Sequence, residues 1–125
     1  MYIFENVNPK GKKTADCVVR AIAKAENRDW FSVYDELSLL ARSKCTVLND
    51  LSFYKSYLNK YETVQCVFEE CGSKFKLTVS EFSNKYSSGI YLIQIAGHLT
   101  VCIDGNVYDI WNCLNKKVYK GWRVK

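Results

Sequence analysis

The stretch Gly97-His98-Leu99-Thr100-Val101-Cys102-Ile103-Asp104-Gly105-Asn106-Val107-Tyr108-Asp109-Ile110-Trp111 decides how the chain is read. Two short runs rich in β-branched and aromatic residues flank Asp104-Gly105, a dipeptide that readily takes the positive φ angles a two-residue hairpin turn needs. With those two residues as the turn, Ile103 faces Asn106, Thr100 faces Asp109 and His98 faces Trp111. Strand side chains alternate between faces and opposed residues share one, so His98, Thr100, Asp109 and Trp111 all project from one side. His98 and Asp109 become diagonal neighbours, with Cβ atoms roughly 7 to 8 Å apart, a gap that imidazole and carboxylate can close. Asn112 falls on the opposite side, and a three-residue loop would reverse the parity and bring it forward.

Working outward, Ile90–Ile95 reads as a buried strand, broken from what precedes it by Ser87-Ser88-Gly89. Gln94 has the parity of His98 if the chain runs on unbroken, and a bulge at Gly97 would reset it. Asn115–Lys117 forms a turn before a last strand over Val118–Val124. Upstream, Thr78 caps a short helix over Val79–Tyr86. Between 62 and 76 the pattern is ambiguous, with Val64–Phe68 readable as a short strand and Cys71-Gly72-Ser73 as a turn. The N-terminal half is helical. Thr14 reads as the cap of a first helix, with Ala15, Asp16 and Cys17 in its opening turn and Val18, Ala21, Ile22 and Ala25 at helical spacing. Asn27 stops that helix. Asp29 caps a second, marked by Trp30, Val33, Tyr34, Leu37 and Leu40, and a third follows Asn49-Asp50. Tyr2-Ile3-Phe4 is a short apolar segment ahead of the turn-rich loop Asn6–Lys13. Helices first and an antiparallel sheet afterwards predict an α+β domain spanning 1–125, its halves packed face to face.

Composition narrows the function classes. A chain of 125 residues is one ordinary domain, and a single proline with six glycines argues against disorder. The net charge of +5 is scattered among acids, and its one local cluster, Lys10, Lys12 and Lys13, reads as a solvated loop, so nucleic-acid binding is not indicated. The six cysteines, at 17, 45, 66, 71, 102 and 113, contain no Cys-x-x-C pair and have one histidine to share, so no metal site and no cofactor are expected. Neither a signal peptide nor a membrane span is apparent, which points to a cytoplasmic protein with reduced thiols. Oligomeric state is left open.

The chemistry lies at the two ends. A cysteine in the first turn of a helix feels the partial positive charge of unpaired backbone N–H groups, which favours its thiolate. A histidine opening a strand, with a carboxylate on the next strand to accept its Nδ1–H, is a base held in one tautomer. Cys17, His98 and Asp109 therefore read as nucleophile, base and orienting acid. Each has a plainer alternative: cysteine is among the most buried residue types, a lone histidine is commonly structural, and Trp111, a wall for the cleft, could equally be core. Asp109 resists the plain reading, because a carboxylate buried in an apolar strand needs a partner. Arg20 reads as a surface partner for Asp16, of little energetic weight.

Asp16-Cys17 opening an apolar helix, Gly97-His98 opening a strand, and an aspartate after an Asp-Gly turn together resemble the papain-like cysteine peptidases, most of all the compact bacterial and phage branch with the bacteriocin-leader peptidases. The match covers residues 8 to 25 and 89 to 113. The resemblance implies a helical part carrying the nucleophile, a sheet carrying the base, and a substrate cleft between them. It also implies a peptide or protein substrate and an acyl-enzyme mechanism on a peptide, isopeptide or related amide bond. That family has a glutamine about six residues before the cysteine as an oxyanion donor. Gly11 stands there in this chain, and Asn8, three residues upstream, is the candidate substitute, its alternative being a turn-forming Asn-Pro. Two rival readings stay open: a peptidoglycan amidase or endopeptidase of the CHAP kind, and a catalytically inactive papain-like binding or inhibitory protein of phage or mobile-element origin.

Overall fold

In the computed structural model, which describes all residues from Met1 to Lys125, the elements run β1 (Tyr2–Phe4), α1 (Cys17–Glu26), α2 (Trp30–Ser43), α3 (Leu51–Leu58), β2 (Glu62–Val64), β3 (Val67–Glu70), β4 (Ser73–Lys76), α4 (Val79–Lys85), β5 (Ile90–Ile95), β6 (His98–Ile103), β7 (Asn106–Asp109) and β8 (Lys120–Arg123). The β6–β7 hairpin has the predicted turn. Asp104 and Gly105 both take left-handed backbone, with φ of 49° and 80°, and the ladder pairs Ile103 with Asn106 and Val101 with Tyr108. Asp104 also ties the turn back, accepting a bond from the Gly89 N–H at 2.9 Å. The preceding connection is a second two-residue turn, Ala96-Gly97, in which Gly97 takes φ 64°. It sets Ile95 opposite His98 and Gln94 opposite Leu99. Gln94 therefore lies on the face away from His98, because the turn adds an even number of residues and reverses the parity read along an unbroken strand.

Six strands form one sheet in the order β1-β7-β6-β5-β8-β2, and β3 and β4 make a separate hairpin. The sheet is antiparallel except at one edge, where β1 runs parallel to β7 with Phe4 beside Asp109. The first residues are thus part of the sheet, not only an apolar lead-in. The Met1 ammonium donates to the Gly105 carbonyl at 3.0 Å, fastening the N-terminus to the hairpin turn. The ambiguous segment resolves into β2, at the opposite edge beside β8, and the β3–β4 hairpin. The strand expected over Val64–Phe68 is split, because buried Cys66 and its neighbour Gln65 lie outside both strands. The architecture is α+β, with four helices and a mainly antiparallel sheet.

Alternation along the strands gives the sheet two buried faces. Leu92, Leu99, Val101 and Trp122 pack beneath α1, α2 and α3. Tyr91, Ile93, Ile95, Cys102 and Val107 point the other way, against Phe82 and Val79 of α4. Gly121 in β8 lets Phe82 lie against the strand, since a Cβ there would sit 2.8 Å from the ring. α4 begins with the expected Thr78 cap, in a full capping box with Glu81. α1 is the central helix. It packs on β6, β5 and α2, and Val18, Val19, Ala21, Ile22, Ala23 and Ala25 are all buried, so small alanines let it approach its neighbours closely. Asn27, at φ 52°, caps its C-terminus, and Asp29 caps α2 by accepting from Phe31 and Ser32.

The start of α1 differs from the expectation. The N-cap is Asp16, not Thr14, and Cys17 is the first helical residue. Asp16 makes no side-chain cap bond, because its carboxylate is committed elsewhere.

Candidate active site

Cys17 sits where α1 begins, so its backbone N–H belongs to the group that a helix leaves without internal partners. Its side chain is half-buried, open enough to react. Asp16 beside it is buried at 7% exposure. One carboxylate oxygen accepts from Arg20 Nε at 2.7 Å, and the other from Asn8 Nδ2 and Trp30 Nε1, both at 3.0 Å. Those bonds hold the residue before the thiol from three directions.

His98 and Asp109 meet as the hairpin parity requires. His98 Nε2 and Asp109 Oδ2 lie 2.6 Å apart, with both side chains buried. The nitrogen engaged is Nε2, where Nδ1 was expected. Cys17 lies close enough to His98, and to the Leu99 backbone, for both to favour its thiolate. Asp109 and Cys17 both favour the protonated form of the His98 ring.

Arg20 is the residue whose role the sequence did not disclose. It is 7% exposed, and besides Asp16 it donates through Nη1 to Asp109 Oδ1 at 3.1 Å. Asp109 Oδ1 also accepts the Ile110 N–H at 2.7 Å. When the thiol gives its proton to the imidazole, the side chains alternate in sign: Asp16 negative, Arg20 positive, Asp109 negative, His98 positive, Cys17 negative. The chain ends on the neighbour of the residue where it began. Five ionisable groups in one buried cluster are tolerable only because each has an opposite partner at contact distance.

The protonation balance follows from these contacts. Burial works against the Cys17 thiolate, but His98, the Leu99 backbone and the positive charge of Arg20 outweigh it, so the thiol lies below its ordinary range. Burial also works against the His98 imidazolium, but Asp109 and Cys17 raise it to about 9. Burial opposes the Asp109 charge, and the His98 and Ile110 contacts hold its carboxyl below the ordinary value. The two shifts run in the directions that favour a thiolate–imidazolium pair. Three other cysteines show the contrast: burial pushes Cys66 and Cys102 up to about 11 and Cys113 to about 12.

Trp111 lies on the His98 ring, with centroids 5.1 Å apart and planes tilted by 57°; at 38% exposure it flanks the imidazole while facing solvent. Asn8, besides holding Asp16, accepts on Oδ1 from the N–H groups of Lys10 and Lys12 at 3.0 and 3.3 Å. These bonds make it the organiser of the loop before α1, not a free donor. Asn112 is exposed and bonds the Leu114 N–H at 3.0 Å, apart from the site. Tyr54 of α3, read from sequence only as part of one side of that helix, is buried and pushed up to about 12 by that burial and by the Cys17 charge. No cluster of His, Cys, Asp and Glu that could hold a metal ion is present. Comparison of the chain with protein-family models, curated proteins and solved structures finds no match to any of them.

Proposed function

We propose that this chain is a small papain-like thiol hydrolase that cleaves a peptide, isopeptide or related amide bond, with Cys17 as nucleophile, His98 as base and acid, and Asp109 as orienting carboxylate. The observation that carries the reading is the half-buried thiol at the start of α1 beside an imidazole whose Nε2 lies 2.6 Å from a buried carboxylate, with thiol and ring each favouring the other's charged form.

In this reading the Cys17 sulfur attacks the carbonyl carbon, and the oxyanion formed draws on the unpaired N–H of Cys17 itself. The C–N bond breaks as His98 gives its proton to the leaving amine. Water, giving a proton to His98, then attacks the thioester carbon and releases the thiolate. Asp109 keeps the ring in place throughout, and Arg20 keeps Asp109 in place. Gly11 brings no side-chain donor to the oxyanion. Gln94 is the side-chain amide we assign instead: it lies opposite Leu99 on the α1 side of the sheet, and its one protein bond, to the Ile95 carbonyl, is long at 3.5 Å.

The direct test is competitive alkylation by iodoacetamide with each cysteine read separately by mass spectrometry. Cys17 is expected to react faster than exposed Cys45 and Cys71 at neutral and mildly acidic pH. Equal rates at all three would remove the activated thiol and the proposal with it.

A further inference from the structure

On the sheet side of the imidazole a pocket of about 380 Å³ is lined by Ile95, Ala96, Trp111, Lys116, Lys117 and Tyr119. It adjoins the catalytic ring twice over: Ile95 is the cross-strand partner of His98, and Trp111 lies on the His98 ring. It is also on the far side from the nucleophile, since Cys17 packs with the helix-side core and Ile95 belongs to the other. Its floor is apolar and aromatic, and its rim is cationic. Lys116 and Lys117 are exposed, and a third ammonium, that of Lys76, lies over the Tyr119 ring at 5.5 Å from its centroid. No carboxylate lines it. Glu81 acts on Lys117 from outside, but its side chain is held by the Thr78 N–H at 2.8 Å.

We propose that this pocket receives a carboxylate on the leaving-group side of the scissile bond. The proposal rests on the hydrolase reading, and the direction follows from the chemistry. The group that protonates the departing amine must face it, so the chain beyond that amine extends past His98, toward Trp111 and the lysines. The pocket has room for a side chain of ordinary size against Trp111 and Tyr119, and the only ionic partners on its rim are cations. Two sources supply such a carboxylate: an Asp or Glu side chain just after the cut, or the free C-terminus of a short leaving peptide.

Cleavage of a mixed peptide library by the intact chain, with the residues after each cut read by sequencing, separates the two. Enrichment of Asp and Glu at the first or second position identifies the side chain, and cuts confined to the last residues of peptides identify the C-terminus. Reversing the rim, with K116E/K117E, is expected to weaken that preference about three- to tenfold, the scale of exposed ion pairs acting together. Cleavage with no acidic or C-terminal bias overturns the proposal.

A second measurement does not depend on turnover. In the Cys17→Ala protein, N-acetyl-glutamate amide and N-acetyl-alanine are titrated while the Trp111 indole and the Lys116 and Lys117 amides are followed by NMR, with N-acetyl-glutamine amide as control. Saturating shifts for the carboxylates, weakened by added salt and absent for glutamine, support the pocket even if the native chain cleaves nothing, in which case the hydrolase reading alone falls. Responses to both carboxylates no different from that to glutamine amide overturn the pocket.

Discussion

Two cysteines lie within the field of Asp109, and the fold treats them in opposite ways. Cys113, in the segment after β7, is fully buried; burial first, and then the charge of Asp109, push its thiol up to about 12. Cys17, at the head of α1, meets the same carboxylate through an imidazole, and its thiol is lowered. A carboxylate alone discourages a thiolate. A carboxylate holding a protonated ring against the sulfur encourages one, because the nearest charge is then positive. What separates an inert sulfur from a reactive one here is the group in between and a half-open position.

The sharpest way to break that contrast is to remove the reactive sulfur. Cys17→Ala is expected to abolish the fast alkylation and to reduce hydrolysis by on the order of 10⁶-fold, the scale seen when a catalytic nucleophile is deleted. Activity that survives the change would place the chemistry elsewhere.

Asp109→Asn comes next, because it takes away the charge common to both cysteines. Turnover is expected to fall about 10²- to 10⁴-fold, as when an orienting carboxylate is neutralised and the ring loses its tautomer. The pH dependence gives the sign. His98 is raised from 6.5 to about 9 in the folded protein, so its protonated form contributes stability that is fully present below about pH 6.5 and is lost as pH rises through about 9. Cys17 is lowered, so its thiolate contributes stability that is present above the ordinary thiol range and is lost as pH falls through the folded value. In Asp109→Asn both slopes should flatten in urea unfolding across that window, and Cys17 alkylation should lose its advantage at mildly acidic pH. An unchanged profile would mean that Asp109 does not govern the pair.

Arg20 tests the support behind the contrast. Arg20→Met leaves Asp16 and Asp109 buried without their shared cation, and a loss of about 3 to 5 kcal/mol in unfolding free energy is expected from breaking such a network. Arg20→Lys should recover part of it, because an ammonium cannot reproduce the two-directional fork that spans both carboxylates. Alkylation of whatever remains folded gives the second readout: if Arg20 only stabilises, the Cys17 profile is unchanged, and if it positions Asp109, the acidic advantage shrinks.

The parts of this arrangement legible in the sequence are those with local rules behind them. Asp104-Gly105 dictated a two-residue turn, and the turn dictated that His98, Asp109 and Trp111 share a face; all three meet. Asp29, Asn27 and Thr78 announced helix ends by their own chemistry. What stayed hidden depended on distant contacts. The i,i+4 spacing of Asp16 and Arg20 gave their pairing but not their burial, which comes from α1 lying under two other helices and across β6. Tyr2–Phe4 is too short to declare a parallel partner. The engagement of Nε2 and not Nδ1 depends on how the ring is turned, which strand parity does not encode.

The smallest expected effect closes the comparison. Cys113→Ala removes one buried atom beyond Cβ, so a loss of about 1 kcal/mol is expected, the scale of a small deletion in a packed core. The Cys17 alkylation rate and its pH profile should not move, because Asp109 has its hydrogen-bonding partners in His98, Arg20 and the Ile110 N–H, with none at the Cys113 sulfur. If the substitution instead slowed Cys17 as Asp109→Asn does, packing around the carboxylate, and not its charge, would be what holds the imidazole. The two cysteines would then belong to one mechanical unit, and the contrast between them would reduce to exposure alone.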